Sequence, residues 1–207
     1  ILAAPNLMKK MLLAKIEREI GHQTAGTPGL IRFKCNALED ADMVEALYRA
    51  SRSGVKVELI VRDTCRLRPG LADTSETITV ISIVGRFLEH TRIYYFRNAG
   101  EEEYFIGSAD LMSRNLESRV EVIVPVEHPG LRRELHAVLE TQLNDKRSAW
   151  EMSADGSYTQ RRPRPGHKDR SCQESLIEAA YLRAERAKRL RKVKPRAFAR
   201  RGPKLPS

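Results

Sequence analysis

The sequence predicts an α/β fold, a mixed β-sheet flanked by helices and followed by a basic C-terminal tail. Three observations carry this. Over residues 30–62 a strand, an amphipathic helix and a second strand follow one another through short connections, which predicts parallel pairing with a right-handed crossover. Over residues 91–107 two runs of β-branched and aromatic residues flank the turn "RNAGEEE", and such a hairpin is antiparallel. The charge is split as well: residues 161–207 hold 16 Lys+Arg and 4 Asp+Glu, whereas residues 1–160 hold 21 and 23. The net +10 of the chain therefore belongs to its tail.

The elements follow in order. "NLMKKMLLAKIEREIGHQ" has apolar residues at helical spacing, and Gly26 and Pro28 punctuate the approach to the next element. "LIRFKCN" is a strand, and "LEDADMVEALYRASRSG" is an amphipathic helix stopped at Gly54. "VKVELIVR" is continuous enough in Val, Leu and Ile to lie inside a sheet. A long polar loop, "DTCRLRPGLADTSE", comes next. "TITVISIV", "RIYYF", "YFIGS" and "RVEVIVPV" are strands, and "HPGLRRELHAVLETQLNDK" is a helix with Pro129 in its first turn. The expected domain boundary falls at residue 160.

Beyond that boundary, "RRPRPGHKDR" reads as an extended linker. The stretch "SCQESLIEAAYLRAERAKRLRKVK" reads as a helix capped by Ser171 or Ser175, with acids early and bases late as the macrodipole prefers. Its apolar stripe (Leu176, Ile177, Ala180, Leu190) is thin, so the expectation is a solvated basic tail, then a polyanion-binding arm, then a membrane-surface helix. "PRAFARRGPKLPS" reads as disordered.

Several classes are disfavoured at once. No apolar run approaches the ~18 residues that a membrane span requires. Cys35, Cys65 and Cys172 are widely spaced and lie beside no His or Asp cluster, so reduced thiols are expected, with no disulfide framework and no metal site. With no secretory signal, the chain reads as a cytoplasmic piece of something longer, its basic helix leaving room for peripheral membrane association.

Function in open α/β sheets collects where strands end. The first strand ends in Lys34 and Asn36, the second in Arg62 followed by Arg66 and Arg68, and the third runs into Arg86, His90 and Arg92. Guanidiniums, an ammonium, an amide and one imidazole, with few carboxylates nearby in sequence, suit phosphate, because Arg offers bidentate donors and fixed charge to its oxygens. For any single arginine a surface ion pair is the commoner role. His90 keeps three readings at this point: a satisfied structural histidine, a metal ligand lacking a second ligand at useful spacing, or a group acting on phosphate.

The residues that follow add a resemblance. His90 and Arg92, then "GSADLMSRN" with Gly107, Ser108 and Asn115, resemble the phospholipase D superfamily, in which two half-domains each give one histidine to a shared phosphoryl-transfer site. Arg92 stands where that superfamily has Lys, Asp110 where it has Asn, and the spacing is longer. A more specific resemblance rests on "IVGRFLEHTRIYYF", "GSADLMSRNLESRVEVIVPV", "ALYRASRSGVKVELIVR" and "LRPG", from about Ala3 to Pro163. Together these resemble the C-terminal domain of bacterial polyphosphate kinase, which moves the terminal phosphate of ATP onto a growing polyphosphate chain.

That resemblance implies a phospholipase D-like domain, the second of two in tandem behind an N-terminal domain and a helical head domain. It implies that the autophosphorylated histidine, and the arginines near Mg2+, belong to the preceding domain. Arg62, in "LIVRD", matches the family arginine that contacts ATP, and His90, in "FLEHTR", matches the second histidine, which contacts nucleotide and assists transfer. Lys34, Asn36, Arg86, Arg92, Ser108 and Asn115 occupy further motif positions with no role assigned. The implied partners are ATP and ADP, polyphosphate, the preceding domains and further copies in a homo-oligomer, with Mg2+ held mainly by those preceding domains. The isolated chain is expected to be inactive. Asp63 and Arg66 depart from the family pattern, which has Gly and small or sulfur residues there.

Two rivals stay open. One is a dimeric phospholipase D-like nuclease or phosphodiesterase, against which the net −2 of residues 1–160 argues, since nucleic-acid binding is driven by basic surface. The other is a non-catalytic domain that binds polyanions, nucleic acid weakly among them, through its tail.

Overall fold

In a computed structural model, residues 1–166 and 169–192 are described. Nine strands form one mixed sheet in the order β1-β7-β6-β5-β2-β3-β4-β8-β9. The parallel centre is β2 (Leu30–Cys35), β3 (Lys56–Val61) and β4 (Ile78–Ile83), reached through helix α2 (Ala41–Arg52) and the expected long loop. The hairpin of β5 (Ile93–Phe96) and β6 (Glu103–Gly107) is antiparallel, as its sequence requires, and β5 pairs antiparallel with β2.

Side-chain alternation on β2 sorts the molecule into layers. Ile31, Phe33 and Cys35 point into one core with the apolar faces of α1 (Met8–His22) and α2, where Phe33 meets Tyr94 and Phe96 edge-on at 5.2 and 5.4 Å. Leu30 points to the other face, into a smaller core with Ile60, Ile81, Tyr95 and Leu139 under α3 (Pro129–Leu143). Helix α2 starts where Asp40 accepts a bond from Met43 N (3.1 Å), and Gly54 ends it at φ +86°.

Four short elements were not expected from the sequence: β1 (Leu2–Ala4), β7's edge partner, the hairpin of β8 (Ala149–Met152) and β9 (Tyr158–Gln160), and one π-helical turn at Arg114–Ser118. The strands run three or four residues, too few for alternation to show. The tail also differs from its expectation. Helix α4 (Cys172–Lys192) is capped by Ser171, whose Oγ accepts from Glu174 N (3.2 Å) while Glu174 accepts from Ser171 N (2.8 Å). Its first two residues, however, are buried: Cys172 is 1% exposed and Gln173 6%. Residues just past the expected boundary at 160 also pack on the body, Arg161 Nη1 donating to Leu143 O (2.6 Å). From Tyr181 to Arg189 the helix is exposed, and the segment read as disordered lies outside the described residues.

Candidate phosphate-binding site

A cleft of about 240 Å3 opens where β2 and β3 end. Arg62 follows directly on β3, its backbone N donating to Cys35 O (3.2 Å), so the ladder that forms the sheet also sets this side chain at the sheet's rim. Arg62 Nη1 donates to the carbonyl of Glu89 (2.8 Å), and among the described residues no carboxylate pairs with it. The remaining guanidinium N–H groups stay available to a ligand.

His90 is exposed in the irregular segment between β4 and β5. Arg92 holds it: Nη1 donates to the His90 carbonyl (2.9 Å) and lies 3.0 Å from Nδ1 and 3.3 Å from Nε2. The rest of that guanidinium grips Asp110, with Nε to Oδ1 at 3.2 Å and Nη2 to Oδ2 at 2.8 Å. Asp110 also accepts from Asn36 N (2.6 Å) and Nδ2 (3.0 Å). Burial works to raise the Asp110 carboxyl, but the bonds from Arg92 and Asn36 outweigh it and hold the group below its ordinary value. Arg92 is thus a fixed support for His90 more than a free phosphate ligand.

The far wall comes from the π-helical turn. Arg119 N donates to Arg114 O (2.9 Å), and this wide turn lets two arginines five residues apart line the same cleft. Both are exposed, and among the described residues neither pairs with a carboxylate. Glu121 takes up the donors beneath them, accepting from Ser108 Oγ and from Asn115 Nδ2 (2.8 Å). Since Asp110 and Glu121 can only accept, the amide nitrogens of Asn36 and Asn115 must face them. Their Oδ1 atoms are then buried without a partner.

Of the residues singled out in the sequence, the fold gathers Asn36, Arg62, His90, Arg92, Ser108 and Asn115 at this cleft. Lys34 and Arg86 do not line it. Lys34 points to the other face of β2, is 2% exposed and donates to Glu89 (2.7 Å); Arg86 is exposed and lies over the Phe87 ring at 5.2 Å. Carboxylates do reach the cleft from a distance in sequence, Asp110 from the loop after β6 and Glu121 from β7 (Glu121–Pro125). Arg114 and Arg119 escaped the sequence reading although both stand in the quoted motif. Their only signal was a spacing of five, which no α-helix would bring to one rim.

Among the described residues no group of three or more His, Cys, Asp or Glu is placed to hold a metal ion. Asp110 and Glu121 are engaged by Arg92, Asn36, Ser108 and Asn115, and Asp63, exposed beside Arg62, is the third carboxylate that lines the cleft. A roomier depression, about 630 Å3, lies between β6 and α3 among Tyr104, Arg132, Arg133 and His136.

A family model described as polyphosphate kinase C-terminal domain 2 matches residues 1–173. The polyphosphate kinase of Synechocystis sp. is 49% identical over 193 residues, which cover 93% of this chain and 26% of that protein. The chain thus spans about a quarter of the length of the curated relatives it matches. The crystal structure of polyphosphate kinase from Porphyromonas gingivalis superposes with a TM-score of 0.82 at 38% identity, covering 89% of this chain and 28% of that one. Nuc from Salmonella typhimurium, a phospholipase D family member, superposes at 0.54 with 16% identity over 73% of this chain and 95% of that one, a likeness of fold alone.

Proposed function

Because the chain belongs to the polyphosphate kinase family, as its C-terminal domain 2, we propose that it supplies one wall of the site at which the terminal phosphate of ATP passes to polyphosphate. The observation that carries this is the convergence of Arg62, Arg114 and Arg119, none of them paired with a carboxylate among the described residues, beside a histidine held by Arg92. Phosphoryl transfer is mostly positioning and charge stabilisation, so unpaired guanidiniums around one imidazole are suited to it. In this reading Arg62 contacts the nucleotide phosphates, as its family match implies, and Arg114 and Arg119 continue the track along the phosphate chain. His90 offers a hydrogen bond or a proton to the departing oxygen while Arg92 and Asp110 fix its ring.

The autophosphorylated histidine belongs to the preceding domain in this reading, and so do the ligands of Mg2+, which here would enter only as the counter-ion of ATP. No step is assigned to the metal in this chain. ATP, ADP and polyphosphate are the small partners, the preceding domains and further copies the protein ones, and the cytoplasm the setting. The folded domain in this reading extends past residue 160 to about Gln173, which the family match over residues 1–173 and the burial of Cys172 and Gln173 support.

The test is a transfer assay on the 207-residue chain with Mg-ATP labelled in the terminal phosphate. The reading expects weak binding of nucleotide and of polyphosphate, and no growth of polyphosphate. Robust chain growth by this chain would overturn it, and ATP-independent cleavage of single-stranded DNA would favour the nuclease instead.

A further inference from the structure

The segment 84–92 carries His90, yet it lacks regular structure and apolar anchorage. Val84, Phe87 and Leu88 are 62%, 52% and 75% exposed. Polar bonds hold it instead, and most converge on Glu89. That carboxylate accepts from Lys34 Nζ (2.7 Å) on β2, Gln142 Nε2 (2.9 Å) on α3 and Gln173 Nε2 (2.8 Å) on α4. Burial opposes its ionisation, but the Lys34, Gln173 and Gln142 bonds outweigh that and keep the carboxyl below its ordinary value. The carbonyl of the same residue accepts from Arg62 (2.8 Å), so Glu89 joins both site residues, the one next to it in sequence and the one across the sheet.

Gln173 does more than meet Glu89. Its Oε1 accepts from Phe87 N (2.9 Å) and its Nε2 donates to Phe87 O (2.8 Å), so one side-chain amide pairs with a backbone unit as a neighbouring strand would. It also lies against Gly85, where a Cβ would come within 2.6 Å of Oε1. One side chain, 6% exposed, therefore spans residues 85, 87 and 89. Its own position is set from behind, because Cys172 N donates to Asp145 Oδ2 (2.6 Å) and Ser171 with Glu174 caps the helix.

We propose that Gln173, at the start of the basic C-terminal helix, is a positioning residue for the phosphate site: it straps the segment 85–90 to the body and thereby sets the placement of His90 and Arg62. The inference rests on the reading of the cleft given above. It assigns a role to the first turn of a helix whose residues 178–189 are exposed. A segment with so little apolar contact keeps its conformation through polar bonds, and Gln173 supplies those at Phe87 together with one of those at Glu89, so its removal loosens residues 85–89 first.

The test uses the full 207-residue chain with Gln173→Ala, Gln173→Glu and, as a control on α4 remote from the segment, Arg183→Ala, which removes the ion pair to Glu134 on α3. Gln173→Glu keeps the shape and turns a donor into an acceptor facing Glu89. Amide hydrogen exchange over residues 85–90 and the NMR signal of the His90 ring are read without ligand, and affinity for inorganic tripolyphosphate and Tm are read alongside. Expected are faster exchange and a shifted His90 signal in both Gln173 variants, an affinity lower by about tenfold, and a Tm close to that of Arg183→Ala. Unchanged exchange and an unchanged His90 signal in both variants would overturn the proposal. A wild-type chain that fails to bind tripolyphosphate would count against the reading of the cleft, while the two ligand-free readouts still decide the role of Gln173.

Discussion

Asp110 and Arg62 line the same cleft as His90 and, in the proposed reading, divide its work between holding and binding. Asp110 satisfies Arg92 and Asn36 at once, and both ends of its ion pair are about nine-tenths buried, with side chains 12% and 9% exposed. Asp110→Ala leaves a buried guanidinium without a partner, so the expected loss of stability, read by urea denaturation, is about 3 kcal/mol. Arg62 makes one bond to a carbonyl and none to a carboxylate among the described residues. Arg62→Ala is expected to change stability by less than about 1 kcal/mol, yet to weaken tripolyphosphate binding about tenfold or more, because charge-assisted bonds to phosphate are the strong ones. The sequence displayed Arg62 and His90 as strand-end residues but concealed that Arg92 is occupied. Its partner lies 18 residues away in the loop after β6, and nothing in the local pattern brings the two together.

Among the elements, β6 and β7 come so close at Gly107 that a Cβ there would sit 2.1 Å from Val122 O and 2.7 Å from Ile123 Cα. Backbone cannot yield as a side-chain tip can, so Gly107→Ala is expected to cost about 3 kcal/mol or more by denaturant melt, and to disturb the neighbouring Ser108. The docking of α4 depends on Asp145, 3% exposed, which accepts from Ser148 N (2.7 Å), Ser148 Oγ (2.6 Å) and Cys172 N (2.6 Å). Burial pushes its carboxyl up, but the Cys172 and Ser148 bonds outweigh it and bring the group down to about 2. A depressed carboxyl gives stability that is present in full above the unfolded value near 3.9 and is lost as pH falls through the folded one. The contribution, about 2 kcal/mol, is therefore expected to disappear between about pH 4 and pH 2, read as release of α4 by hydrogen exchange, and Asp145→Asn removes that acid step. The helices α1, α2 and α3 were legible because 12 or 15 residues show a period, and the central strands because of their apolar and β-branched runs. The strands β1, β8 and β9 were not, and the start of α4 looked solvated because its buried residues, Cys172 and Gln173, make no stripe of their own.

For the molecule as a whole, the sequence showed a near-neutral body and a strongly basic tail, and the fold puts unpaired arginines of that body at one cleft. Among the described residues no helix is long and apolar enough to cross a membrane. In the proposed reading two separable surfaces attract polyphosphate, the cleft by geometry and the exposed part of α4 by charge. The most direct measurement is calorimetric titration of the full chain with tripolyphosphate at physiological salt. Three proteins are compared: wild type, Arg62→Ala, and a variant with Arg183, Arg186, Lys188 and Arg189 all changed to Gln. If the cleft is the site, Arg62→Ala loses most of the affinity and the tail variant keeps it. The opposite result, full affinity in Arg62→Ala and none in the tail variant, would contradict the assignment of phosphate binding to the strand ends.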